Sequence, residues 1–378
     1  MSTEVTNMAE PTTTYQPSAA PEHEPPPAQA PAATATPAQE PLAAHEPAQP
    51  PMQDQGPMQH QGEIAIDTDS TYSEDDLSTY TASLTSSVLN FPTENGRRYH
   101  AFRQGTYLFP NDEPEQDRMD LHHEMYMRAC NGKLHLAPLI DTKDKRFLDL
   151  GTGTGIWCVE MGDCYPEAEV IGNDFSPVQP TMVPKNVKFE VDDIESPWTH
   201  NQKFDYIHSR FLAGAIADWP KLVERCYENL NPGGIIELQD GDFLTYSEDG
   251  TTKGTWLEKW STDFANAAKK GGRIVQPGPQ LENWVRAAGF EDVHHEKIRL
   301  PLGVWPKDKK LKEVGAFNLV QLKEGLEGFS FALFTRVLGW SLDEVQVLLG
   351  KVRKDLSDRN VHSQNDMHIV WGRKPLTA

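Results

Sequence analysis

The stretch Phe147-Leu148-Asp149-Leu150-Gly151-Thr152-Gly153-Thr154-Gly155-Ile156-Trp157 reads as a short apolar strand, a glycine-rich turn and the start of a helix. Glycine reaches backbone conformations closed to other residues and lets a ligand come close to the main chain, at an entropic cost to folding. Three alternating glycines therefore point to a nucleotide-bearing ligand at the carboxyl end of a first parallel strand, where open α/β sheets bind such molecules. The alternative is a tight strand-to-helix turn with no ligand. The dinucleotide fingerprint G-x-G-x-x-G, counted from Gly151, needs a small residue at position 156, where Ile156 stands. The spacing is instead G-x-G-x-G, and Asp149 would sit badly beside a diphosphate. An acid there suits a cationic ligand such as the methionine end of S-adenosylmethionine. The expected pocket thus holds Asp149, Gly151, Thr152, Gly153 and Gly155.

Working outward, strand and helix patterns alternate. Strands are expected at Arg146–Leu150, Glu169–Asn173, Val187–Val191, Phe204–His208 and Ile235–Gln239. Between the last two, Trp219–Asn229 is a helix ending at Asn231-Pro232-Gly233-Gly234. Alternation of this kind implies a parallel sheet with right-handed crossovers. Upstream, Asn111-Asp112-Glu113-Pro114 offers a helix cap and a first-turn proline for a helix from Glu113 to Cys130. Downstream the pattern loosens. Helices are expected at Trp256–Lys270 and Leu281–Ala288, a strand at Val293–Leu300, several helices over 309–357, and a last strand at Met367–Gly372.

Residues 1–90 have another character. They carry 13 Asp or Glu and no Lys or Arg, and residues 1–60 alone hold 13 of the 29 prolines. So few large apolar side chains cannot offset the entropy of ordering, so this segment is expected to be a disordered acidic tail ahead of a folded domain over 91–378. The formal net charge is -21, with no basic run. That argues against direct nucleic-acid binding, which needs Lys and Arg on phosphates. Cys130, Cys158, Cys164 and Cys226 form no C-x-x-C pair, so no metal site is expected. No signal peptide and no membrane-spanning run is visible, and the expected location is the cytoplasm, the nucleus or both.

Three further places carry candidate chemistry. Asp174 lies 23 residues after Gly151, at the tip of the second strand, where an acid commonly accepts from ribose hydroxyls. It could equally be an ordinary strand-end Asp. In Asp192-Asp193-Ile194, Asp193 is placed to accept from an exocyclic adenine amine and Ile194 to pack on the ring, or the segment is a solvated turn. His208, followed by Ser209 and Arg210, ends the fourth strand where a transferable methyl group would point. His208 is a candidate base, or a structural residue bonding a neighbouring loop. Gln239 and Asp240 face the same rim, and His122 and His123 suit packing or a lid. The aromatics Trp305, Phe317, Phe329, Phe331 and Phe334 could enclose an acceptor pocket or form plain core.

Taken together these residues resemble the class I methyltransferases and, more narrowly, the fungal LaeA-like methyltransferases with their VipC- and VapB-type relatives. The narrower resemblance rests on Glu94-Asn95-Gly96-Arg97-Arg98-Tyr99-His100-Ala101-Phe102, on Asp112-Glu113 with Glu115-Gln116-Asp117-Arg118, on Glu195-Ser196-Pro197-Trp198 and on Asn231-Pro232-Gly233-Gly234. It covers about residues 93–374. It implies a Rossmann-like, seven-stranded, mostly parallel sheet with an antiparallel final pair and helical insertions. It also implies S-adenosyl-L-methionine as cofactor, held at Asp149, Gly151, Gly153, Asp174 and Asp193. Relatives act in fungal development and secondary metabolism, some with velvet-type or membrane-tethering partners. Thr152 departs from the family, where Cys is common. The expected activity is methyl transfer, either regulatory within a protein complex or tailoring of a small metabolite. A non-catalytic scaffold is the third reading.

Overall fold

A computed structural model of the chain describes residues 88–377. The acidic Pro-rich tail expected to be disordered lies outside the described residues.

The described chain opens on a small hairpin, β1 (Thr93–Glu94) and β2 (Arg97–Arg98), turned by Asn95-Gly96. Both turn residues have positive φ, the signature of a two-residue hairpin loop whose twist matches its strands. Arg97 grips Asp112 with two bonds of 2.7 and 2.8 Å. Asp112 in turn caps α1 (Glu113–Ala129) by accepting from the Glu115 N–H. The hairpin is thereby fastened to the start of the first helix, which explains why these stretches occur together in the sequence.

The main sheet contains β3 (Arg146–Leu150), β4 (Glu169–Asp174), β5 (Val187–Val191), β6 (Phe204–Arg210), β7 (Leu230–Gly241), β8 (Glu291–Pro301) and β9 (Gln364–Arg373). Their order is β5-β4-β3-β6-β7-β9-β8. The first five are parallel, and β9 and β8 are antiparallel to their neighbours. The sheet is thus seven-stranded and mostly parallel, and strand order reverses on either side of β3. A crevice opens at the carboxyl ends of strands at such a switch point.

Both faces are covered. Leu148, Leu150, Ile207, Ile236 and Leu238 pack on α3 (Trp219–Asn229) and α5 (Gly278–Ala287) through Trp219, Leu222, Val223, Leu281 and Val285. On the opposite face, Phe147, Val170, Tyr206 and Ile235 pack on Trp157, Cys158 and Met161 of α2 (Ile156–Cys164). Beyond the sheet, α4 (Trp256–Lys270), α6 (Lys309–Ala332) and α7 (Leu342–Asp355) build a helical layer around Trp260, Phe264, Phe329 and Phe334.

Two elements differ from expectation. The fifth strand was expected to start at Ile235 after a loop. β7 instead begins at Leu230, which pairs with Phe204, and Asn231-Pro232-Gly233-Gly234 forms an irregularity where the register shifts. Gly233 holds φ 79° there, so the glycine bends the strand and does not end it. The second difference is that α6 runs straight into a π-helical segment, Leu333–Leu338. No periodic signal in the sequence marks it.

Candidate active site

The cleft at the switch point lies over the ends of β3, β4 and β6. Register alone places Asp149 of β3 beside Gly172 of β4 and His208 of β6. The Asp149 carboxylate sits 2.7 Å from His208 Nδ1, and the Cys158 thiol donates to its other oxygen at 3.7 Å. The His208 ring is stacked flat on Trp157, with centroids 3.9 Å apart, and has no exposed surface. This arrangement holds the Asp149 carboxylate in place. His208 also lines the cleft, so its ring both orients Asp149 and borders the space a ligand would fill.

The glycine turn forms the floor. Gly151, Thr152, Gly153 and Thr154 line the cleft. Gly153 holds φ 59°, and a methyl group on it would fall 3.0 Å from Met119 Sδ, which packs close over the turn. Gly155 is different. It does not line the cleft, and a methyl group there would fall 2.5 Å from the Phe189 ring. Expected as a cofactor residue, it serves packing: it caps α2 in the left-handed conformation and leaves room for Phe189. Thr152 donates its N–H to the Asn173 carbonyl at 2.8 Å and pairs its hydroxyl with Cys158, which ties the turn to β4 and α2.

Asp174 ends β4 at the cleft wall. Its carboxylate accepts from the N–H groups of Gly153 and Ser176, each at 2.9 Å. Burial pushes this carboxyl up to about 6, against the opposing pull of those backbone donors. Asp192 and Ile194 also line the cleft, but Asp193 does not. The Asp193 carboxylate turns back on its own loop, accepting from the Glu195 N–H at 3.0 Å and the Ser196 hydroxyl at 2.7 Å. Of the two adjacent acids, it is Asp192 whose side chain borders the cleft. The rest of the motif also has a purpose here. Glu195 accepts from Ala217, Asp218 and Arg273, and the Trp198 indole donates to the Ile194 carbonyl. These contacts hold Ile194 against the cleft.

Gln239 and Asp240 leave the rim. Gln239 donates to the Leu134 carbonyl and to Glu237. Asp240 accepts from the N–H groups of Leu212, Ala213 and Gly241, and burial pushes its carboxyl up to about 7.

At the far end of the cleft the sequence reading has Arg210 at the rim and His122 and His123 as packing or lid residues, but not their meeting. Met119, His122 and His123 of α1 line it together with Tyr107, Arg210 and Phe211. Arg210 donates to His123 Nδ1 at 2.7 Å, and His123 Nε2 bonds Glu160 at 3.1 Å. Burial first, then the Arg210 charge, pulls the His123 pKa down to about 3, so the ring is neutral. Only the pairing of adjacent histidines at the start of the fold hinted at this wall. Phe211, a bulky residue at φ 59°, holds a conformation that costs on the order of 1–3 kcal/mol. Its ring meets His122 edge to face at 4.1 Å, and this pair is shared with a second, inner cavity. That cavity is lined by Tyr126, Phe243, Trp260, Leu322 and Phe329 with the amides of Asn318, Gln321 and Asn365. Of the late aromatics, Phe329 reaches it, while Phe331 and Phe334 are core.

Comparisons with known proteins agree with this architecture. A family model described as "Methyltransferase domain" matches residues 121–295. The chain is 44% identical to "Methyltransferase pytC" of Aspergillus terreus over 82% of its length and 96% of that protein. It is 40% identical to "Secondary metabolism regulator LAE1" of Cochliobolus heterostrophus over 75% of its length and 94% of that protein. Against "Protein-methionine methyltransferase laeA" of Emericella nidulans it is 36% identical, covering 76% of this chain and 77% of that one. With its switch-point cleft and this degree of identity, the chain belongs to the LaeA-like class I methyltransferases, enzymes that use S-adenosylmethionine.

Proposed function

We propose that the cleft seats S-adenosylmethionine along the ends of β3, β4 and β6. The observation that carries this reading is the pairing of a glycine floor open to the cleft at Gly153 with the Asp174 carboxylate bonded to the same residue. The residues fit the group. Asp174 has acceptor capacity left for ribose hydroxyls, Asp192 and Ile194 lie where an adenine edge and face need them, and Gly151–Gly153 let main chain approach. When bound, the cofactor supplies a methyl group activated by a sulfonium. Asp149, oriented by His208, would help hold the amino-acid end of the cofactor, and Trp157, Ile194 and Phe211 would line its seat with apolar surface. His208 is on this reading a positioning residue. Calorimetric titration of the full chain with S-adenosylmethionine and with NAD tests the assignment: saturable binding of the first alone is expected, and NAD binding would overturn it.

The acceptor side supports two readings. The favoured one is a regulator of secondary metabolism and fungal development, acting in the nucleus with protein partners of the velvet type. It is supported by relatives carrying the regulator name at 34–40% identity. The second is a tailoring enzyme for a small metabolite, favoured by the aromatic-lined cavity next to His122 and Phe211 and by the methyltransferase at 44% identity. Metabolite profiling of the source organism with Gly153→Arg in place of the native residue separates them. Loss of many unrelated metabolites supports the regulator, and accumulation of one unmethylated compound supports the tailoring enzyme.

A further inference from the structure

Arg210 is a partly desolvated guanidinium without a counter-ion. It ends β6 inside the cleft, and its one protein hydrogen bond among the described residues goes to a neutral histidine, His123. The nearby acids are occupied: Asp149 by His208 and Cys158, and Glu160 by His123. The other arginine of the cleft, Arg118, is neutralised by Glu115 at 2.9 and 3.0 Å and also donates to Gln321. The side chain of Arg210 is braced from behind by the Tyr126 ring, 5.3 Å from its charged carbon. Its remaining donors are not sealed into the protein, so they reach the cleft. Arg210 is half-buried, and a partly desolvated cation with no carboxylate partner is completed at low cost by an anionic ligand group.

The charges along the cleft are ordered. Carboxylates Asp174 and Asp192 stand at the β4–β5 end, and Arg210 stands at the β6 end. A ligand that lies along this line must offer hydroxyl donors at one end and an anion at the other. We propose that Arg210 forms an anion subsite that takes the α-carboxylate at the amino-acid end of the methyl donor, with His123 holding the guanidinium in register. The neutral state of His123 serves this arrangement: its Nδ1 accepts from Arg210 while its Nε2 hydrogen goes to Glu160, and a protonated ring would repel the guanidinium. The inference rests on the cofactor placement above and extends it to one functional group.

Decarboxylated S-adenosylmethionine keeps the sulfonium and the ammonium and lacks only that carboxylate. Titrated calorimetrically into the full chain, it is expected to bind about 30-fold more weakly than S-adenosylmethionine, the range of a charge-assisted hydrogen-bond pair. Arg210→Met should bring the two ligands to within about threefold by weakening only the carboxylated one. Arg210→Lys, which keeps the charge but not the planar fork, should leave an intermediate ratio and covers the case in which the methionine variant does not fold. Equal affinity of the wild type for both ligands, or an undiminished ratio in the variants, overturns the subsite and leaves the guanidinium for an anionic acceptor. Failure of the wild type to bind S-adenosylmethionine at all would instead strike the cofactor placement itself.

Discussion

The two ends of the cleft are built in different ways. At the β3–β4–β5 end most contributors lie on the strand tips and turns between residues 149 and 195, and the Asp174 carboxylate is anchored by main-chain N–H groups, those of Ser176 in its own turn and of Gly153 in the glycine turn. At the β6 end the wall is assembled from α1 and β6, with His123 meeting Arg210 across 87 positions of sequence. The first end is a main-chain device whose chemistry follows from glycines and strand tips. The second is a side-chain device that exists only after the helix has docked. Local geometry can be read from spacing, whereas a partnership between distant side chains cannot.

The largest effect should come from breaking the first end. Gly153→Arg puts a side chain into a left-handed position facing Met119, and we expect cofactor affinity to fall below detection while the thermal unfolding transition persists. Next, Asp174→Ala removes the acceptor for two N–H groups and for the ribose. A loss of roughly 100-fold in affinity, about 3 kcal/mol, is expected by calorimetry. A variant binding as well as wild type would sink the assignment of that end.

pH sharpens the comparison because the Asp174 carboxyl, at the first end, is pushed up to about 6. The folded-state carboxyl of Asp174 is raised to about 6, so below that pH the unliganded folded protein holds the proton more tightly than the unfolded chain does. Its contribution to stability is therefore present at low pH and is lost as pH rises from about 4 to about 6. Hydroxyl donors favour the carboxylate, so cofactor affinity should rise across the same window. The melting shift given by S-adenosylmethionine should accordingly grow between pH 5 and 7. Asp174→Asn should flatten it. The smallest effect separates two neighbours: Asp192→Ala should weaken binding about tenfold, and Asp193→Ala, which removes only a loop cap, about twofold. Reversal of that order would restore Asp193 as the cofactor contact.

Much of the scaffold was legible for the same reason that the first end was. Arg146–Leu150, Val187–Val191, Trp219–Asn229 and Trp256–Lys270 were each bounded in sequence where the structure bounds them. Apolar periodicity and a cap such as Asp112 are local signals. Asn231-Pro232-Gly233-Gly234 misled because turn residues inside a strand also make a bulge, and only pairing with β6 tells the two apart. Gly155 misled because a glycine required by a neighbouring ring looks the same in sequence as one required by a ligand. Asp193 misled because two adjacent acids point to opposite sides of a loop, and one residue of register decides which faces the cleft.

His122 and Phe211 wall both the donor cleft and the inner cavity, and Phe211 holds a backbone shape that few side chains tolerate. A change at either position alters two chambers at once, so if the inner cavity takes the acceptor, its specificity cannot drift here without disturbing the cleft. Diversification of acceptors on this scaffold would have to run through the residues that touch the inner cavity alone, such as Phe243, Leu322 and Asn365.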